Sequence, residues 1–222
     1  MIHLEHVLQN LKKDLQDMAN LVQTQLTRSR DALLHFDKSI ANQVLHTEKR
    51  VNAYELKIDS LCENIVALYN PVAQDMRAVF AYYKINSHLE RMGDYAKNIA
   101  NNVLELEVGY DEQLLEDLDI LSMFEIANEM ITENIVALIS GNPQSAHHVF
   151  EMDMALNALH DNGIEIVVAA IKKDTEQTRA LLDLASTVRR LERVGDYNTN
   201  IAEELIFCFE AKVLKHQDSS NK

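Results

Sequence analysis

Apolar residues recur along this chain in steps of three and four, the spacing that puts them on one face of an α-helix. Leu4, Leu8, Leu11, Leu15, Met18, Leu21, Val22, Leu26 and Leu33 mark a first helix from about His3 to His35. Ile40, Val44, Val51, Tyr54, Ile58, Leu61 and Ile65 mark a second, with Asp37 as its N-cap and an end near Tyr69. Asn70-Pro71 predicts both the stop of this helix and the start of a third, as an N-cap residue followed by proline at the first helical position. The third is expected to end near Gly109, a natural residue just past a helix C-terminus. A fourth helix from Asp111 to Gly141, a fifth opened by Asn142-Pro143 and closed by Lys172-Lys173, and a sixth after Asp174-x-x-Gln177 repeat the plan. The tail KHQDSSNK reads as frayed.

The second half repeats the first in its residues as well. LERMGDYAKNIA at 89–100 returns as LERVGDYNTNIA at 191–202, 102 positions later and identical at nine of the twelve places. Upstream, Arg77-Ala78 returns as Arg179-Ala180 at the same spacing. A repeat of this length means two copies of one structural unit. The fold class is therefore all-α: six long antiparallel helices in two tandem three-helix bundles, one over 1–108 and the other over 109–222. The short connection at Gly109 predicts that the bundles pack together.

The repeated motif is mostly polar, which core packing alone would not select. Glu90, Asp94 and Asn98 follow at i, i+4 and i+8 and form one stripe, as do Glu192, Asp196 and Asn200. Ile85, Leu89, Met92, Ala96, Ile99 and Val103 centre on the opposite face, so the carboxylates are expected to point away from the core. Like charges one turn apart weaken a helix, yet the order Glu, Asp, Asn occurs twice. Hard oxygen donors in this pattern suit a divalent or ferric ion such as iron, zinc, manganese or magnesium. The second helix offers further donors in Glu48, Asn52, Glu55 and Asp59, and the fifth in Asp153, Asn157 and His160. Gly93 and Gly195, each in mid-helix at a cost of about 1 kcal/mol against alanine, predict close approach of a neighbour. Arg91 and Arg193 either pair with adjacent carboxylates or face a partner.

Charge narrows the choice of partners. The 222 residues carry a formal net charge of −14, which argues against nucleic acid and against direct attraction to an anionic membrane. A cation or a basic protein surface is the better match. Cys62 and Cys208 lie among apolar residues and read as buried thiols of a reducing compartment. The N-terminus lacks the apolar core of a signal peptide, and no run reaches the roughly 20 apolar residues of a membrane span. These features predict a cytoplasmic chain. Five glycines and two prolines are too few for an all-β protein.

The doubled L-E-R-x-G-D-x-x-x-N-I-A, together with Asn70-Pro71-x-x-x-Asp75-x-Arg77 and the two three-helix units, resembles the PhoU family of bacterial phosphate uptake. The resemblance spans almost the whole chain. It implies a two-fold bundle whose Glu/Asp-x-x-x-Asp motifs hold metal ions, in some members as multinuclear iron clusters. Carried over, the motif falls on Glu90/Asp94 and Glu192/Asp196. On the second helix of each unit this sequence departs from it, because Asn52 follows Glu48 and Asn157 follows Asp153. An amide there is expected to ligate through its carbonyl without bringing charge.

The resemblance also implies a homodimeric adaptor between the ATPase of the phosphate ABC transporter and a sensor histidine kinase. Such an adaptor damps uptake and starvation signalling and reaches the membrane only through its partners. Arg77, Arg91, Arg179 and Arg193 are the candidate partner contacts. Two other classes remain open: a carboxylate-metal bundle enzyme and a purely structural acidic dimer module. The enzyme fits less well, since di-iron bundles use Glu-x-x-His pairs that do not occur at the repeated positions.

Overall fold

The computed structural model describes residues 2–211, and the tail expected to fray lies outside them. The described residues form α1 (Ile2–Leu34), α2 (Lys38–Tyr69), α3 (Gln74–Glu105), α4 (Glu112–Asp117), α5 (Ile120–Ser140), α6 (Gln144–Lys173) and α7 (Thr178–Glu210). Helices α1, α2 and α3 pack on one another, as do α5, α6 and α7. The two sets join along α1 with α5 and α3 with α7. The copies of the repeat meet across the second seam: Tyr95 and Tyr197, the same motif position, stack with ring centroids 5.9 Å apart. Equivalent residues in mutual contact mark a local two-fold axis between the halves.

Helices α1 and α3 bury most of the face their periodicity marked. Leu11, Leu15, Met18, Val22 and Leu26 of α1 are enclosed, as are Ile85, Leu89, Met92, Ala96, Ile99 and Val103 of α3. At about 1.5 Å per residue, the six long helices extend over roughly 30 to 50 Å. No described helix is long and apolar enough to cross a membrane.

Several helix boundaries differ from expectation, each for a local reason. Asn70 caps the end of α2 in the left-handed region (φ 46°), where asparagine is tolerated, and does not open α3. Three residues then intervene, and α3 begins at Gln74 after Ala73, itself left-handed at φ 45°. In the second half the N-cap of α6 is Pro143 itself, one place later than expected, and Asn142 Oδ1 accepts from Gln144 N at 3.0 Å in a turn just ahead of it. The third helix stops at Glu105, short of Gly109. Gly109 instead lies against a neighbour, with the position a Cβ would take 3.1 Å from Phe36 Cβ.

The fourth predicted helix is two. Asp111 caps α4 through its side chain to Leu114 N (3.0 Å), and the chain then breaks at Asp119 (φ 51°) before α5. Leu115 and Leu118, three positions apart just ahead of the break, are both buried in the core. The Asp174 turn is also only partly as read. Gln177 Nε2 bonds Asp174 Oδ2 at 3.0 Å, side chain to side chain, where the capping box would engage the backbone.

Candidate metal centre

Helices α2 and α3 pass close because α3 carries no side chain at Gly93. A Cβ there would sit 2.9 Å from Gln25 Oε1, 3.3 Å from Glu48 Oε2 and 3.3 Å from Val51 Cγ1. In the second half the corresponding point on Gly195 is 2.6 Å from Leu156 Cδ2 and 3.1 Å from Asp153 Oδ1. Each glycine therefore lets the motif helix rest against an acid of the helix before it.

The approach gathers three carboxylates in the first half. Glu48 from α2 and Glu90 and Asp94 from α3 each offer a ligand oxygen, and these atoms lie within 4.8 Å of one another. They are not an outward ridge. Glu48 is buried and the other two are half-buried, so the cluster lies in the seam between α2 and α3. The expectation of a stripe pointing away from the core is corrected accordingly: it clears the apolar interior but faces the neighbouring helix.

Electrostatics follow from this crowding. Burial first, then the charges of Asp94, Glu55 and Glu48, push the Glu90 carboxyl up to about 7 against the relief of Arg91. Burial also raises Glu48, although the Gln25 hydrogen bond and the Lys97 charge oppose it. For Asp94 burial pulls upward too, but the hydrogen bond and charge of Lys97 and a hydrogen bond with Glu48 outweigh it and hold the group below its ordinary value. Glu55 is raised by burial and by Asp59 and Asp94, so it sits at the edge of the same field. Three acids this close need either shared protons or a cation.

Two residues that periodicity did not single out complete the site. Lys97 Nζ lies 2.6 Å from Asp94 Oδ1 and 3.6 Å from Glu48 Oε1. Gln25 of α1 is fully enclosed and donates from Nε2 to Glu48 Oε2 at 2.8 Å. Its own Oε1 is buried with no hydrogen-bond partner. Both left traces in the sequence: Lys97 follows Asp94 by three positions where the other copy has threonine, and Gln25 interrupts the apolar stripe of α1.

The two asparagines that replace acids act differently from expectation. With its amide oriented to suit its surroundings, Asn52 donates to Glu48 Oε1 (3.1 Å) and to Glu48 O (3.3 Å). Asn157 Nδ2 likewise donates to Asp153 Oδ2 at 2.9 Å. In both halves the amide turns an N–H on the acid one turn earlier, so it orients the carboxylate instead of ligating beside it.

The second half does not assemble the same cluster. Among the described residues, Glu48, Glu90 and Asp94 are the one group of three acids, histidines or cysteines so gathered. Asp153 has a buried, unpartnered Oδ1 and is raised by burial and by the charges of Asp196 and Glu192. Arg193 bonds Asp196 Oδ2 at 2.8 Å and lies 3.6 Å from Glu192. His160 turns to Asp161 at 3.1 Å. Asn98 and Asn200 are half-buried on their helices, outside the gathered group. Asp59 accepts from Asn86 Nδ2 at 2.8 Å.

The arginines are largely engaged within the chain. Arg91 lies 3.7 Å from Glu90, and Arg179 lies 3.7 Å from Glu105 and 3.2 Å from Asp183. Arg77 is half-buried, with its Nε enclosed.

The first-half residues fit a cation. All three donors are hard oxygens, Glu48 is oriented by Gln25 and Asn52, and the buried Gln25 Oε1 is left without a hydrogen-bond partner against the bare backbone of Gly93.

Comparison with known proteins agrees with this architecture. The family model described as the PhoU domain matches residues 15–103 and 120–205. The chain is 33% identical over 196 residues to the phosphate-specific transport system accessory protein PhoU homolog of Zymomonas mobilis, covering 88% of this chain and 82% of that protein. It is 30% identical over 215 residues to the homolog of Aquifex aeolicus, covering 97% and 96% respectively. The crystal structure of PhoU from Pseudomonas aeruginosa superposes with a TM-score of 0.85 at 25% identity, covering 94% of this chain and 99% of that one.

Proposed function

The chain belongs to the PhoU family, and from that premise we propose that it is a metal-binding adaptor that restrains high-affinity phosphate uptake and phosphate-starvation signalling. The observation that carries this reading is the match over nearly full length to relatives named as accessory proteins of the phosphate-specific transport system.

Its partners in this reading are the ATPase of the phosphate ABC transporter and a sensor histidine kinase. It acts as a homodimer in the cytoplasm and meets the membrane only through them. Long helices give an extended docking face, and a net charge of −14 favours basic patches on those partners. Residues 1–108 and 109–222 are its two working units. The outer arginines Arg91, Arg179 and Arg193, with Arg77, contribute to docking alongside their internal pairs.

Glu48, Glu90 and Asp94 would hold a divalent or ferric ion. Once bound, such an ion supplies charge neutralisation and ties α2 to α3. Gln25 and Asn52 orient Glu48 for that role, and Gly93 keeps the helices close. The role is regulatory and needs no turnover by the chain itself.

The test is capture of the tagged chain from phosphate-replete cells, combined with deletion of its gene. The transporter ATPase and the kinase are expected in the captured material, and the deletion is expected to raise starvation-gene expression at high phosphate. A deletion strain that represses normally, with neither partner captured, refutes the adaptor role.

A further inference from the structure

The first-half cluster already has a cation beside it, supplied by its own helix. Lys97 stands one turn beyond Asp94 and touches acids from both helices, Asp94 at 2.6 Å and Glu48 at 3.6 Å. The lysine side chain is 31% exposed, so its ammonium has a path to solvent. A second observation points to a ligand at the same place: the fully enclosed Gln25, bonded to Glu48, keeps an unpartnered Oε1 beside the acids, where Gly93 lets the helices close up. A divalent ion among oxygens that lie within 4.8 Å of one another would stand next to the Lys97 ammonium in a half-buried setting. Two positive centres at that separation repel strongly, because the protein screens them far less than water does.

We propose that Lys97 is the resident counter-ion of this site, and that a divalent metal ion enters only by displacing its ammonium from Asp94 and Glu48 into solvent. The inference rests on the metal-binding reading above and adds to it an exchange: cation in, lysine out. Metal loading then changes the outer face of α3 as well as the seam, because it delivers a positive charge to the surface.

The other copy of the repeat has no such device. Threonine occupies the matching place, and Thr199 Oγ1 donates to Asp196 O of its own helix at 2.7 Å. The two halves share a motif but differ in how their acids are neutralised.

The test uses the full chain, stripped with chelator and titrated with Mn²⁺ by calorimetry. Lys97→Thr, which installs the residue of the second copy, is expected to bind Mn²⁺ on the order of tenfold more tightly than the unaltered chain. Asp94→Asn identifies the first-half site by losing that binding. In parallel, Mn²⁺ is expected to increase acylation of Lys97 in the unaltered chain, read by mass spectrometry. Lys57, paired with Asp14 at 2.6 Å away from the cluster, serves as the internal control.

Equal Mn²⁺ affinity in both chains, with Lys97 labelling unchanged, overturns the exchange and leaves the metal reading intact. Absence of Mn²⁺ binding in both chains overturns both readings. Should Lys97→Thr not fold, the labelling of the unaltered chain decides alone.

Discussion

Glu90 shows how much a single residue is altered by its neighbours. Periodicity alone places it on the polar face of its helix, a position that would ordinarily leave it ionised at neutral pH. The fold instead sets it against Asp94, Glu55 and Glu48, and burial with those charges raises it from 4.5 to about 7. Between these values the native chain holds a proton that the unfolded chain has released. Stability from this group is therefore full below 4.5 and falls as pH rises through 7. Glu90→Gln cannot ionise, so in metal-free buffer it is expected to flatten that fall and to exceed the unaltered chain at pH 8. The gain is on the order of 1 kcal/mol after allowing for solvent screening. Urea melts at pH 5 and pH 8 read it, and parallel pH dependence in the two chains would show that crowding does not govern Glu90. The repeat made the motif acids legible in the sequence. It could not reveal Lys97, because the copies differ there, or Gln25, whose part depends on the packing of a third helix. Asn52 and Asn157 were visible as departures, but whether an amide offers its carbonyl or its N–H is decided by the acid one turn away.

Helix interiors were far more legible than helix ends. The apolar stripes of α1 and α3 are buried as their spacing requires, because burial of a continuous face is enforced by many residues at once. An end is set by one or two. Asp37 is where local chemistry and outcome agree: its Oδ1 accepts from Ser39 N at 2.8 Å and Ile40 N at 3.0 Å. Asp37→Ala is expected to cost about 0.5–2 kcal/mol, measured as a lower urea midpoint with an unchanged slope. A loss below that range would mean that packing of α2, and not the cap, fixes its start. Asn70 and Asn142 precede proline alike, yet Asn70 takes the left-handed cap of α2 itself, whereas in the second half Gly141 takes it and Asn142 bonds Gln144 N instead. The dipeptide allows both, and the residue before it differs: Tyr69 in the first half, Gly141 in the second. The break at Asp119 was hidden for a related reason, since Leu115 and Leu118 also satisfy the pattern of an uninterrupted helix.

At the scale of the molecule the question is whether two copies of one unit behave as one body. Leu15, Leu89, Ile131 and Leu205, from α1, α3, α5 and α7, line a common cavity of about 20 Å³ between the halves. Polar links cross the same seam: Lys84 meets the buried Glu204 at 3.1 Å, Asn102 Nδ2 donates to Asp183 O at 3.2 Å, and Gln23 Nε2 donates to Thr132 Oγ1 at 2.8 Å. A core built jointly cannot be lost from one side alone, so the chain is expected to unfold in a single step despite its length. The distribution of tyrosines makes this testable. Six of the seven lie at or before Tyr110 and the chain has no tryptophan, so intrinsic fluorescence reports chiefly on the first half. Leu205 belongs to the second half and is almost fully enclosed. Leu205→Ala is expected to remove about 2–5 kcal/mol and to move the tyrosine transition by as much as the far-ultraviolet dichroism transition. If the two units were only tethered, the substitution in α7 would shift part of the dichroism signal while the tyrosine midpoint stayed in place. The coincidence of the two probes, not the size of either shift, thus decides whether Lys97 and Arg193 answer to one folding equilibrium or to two.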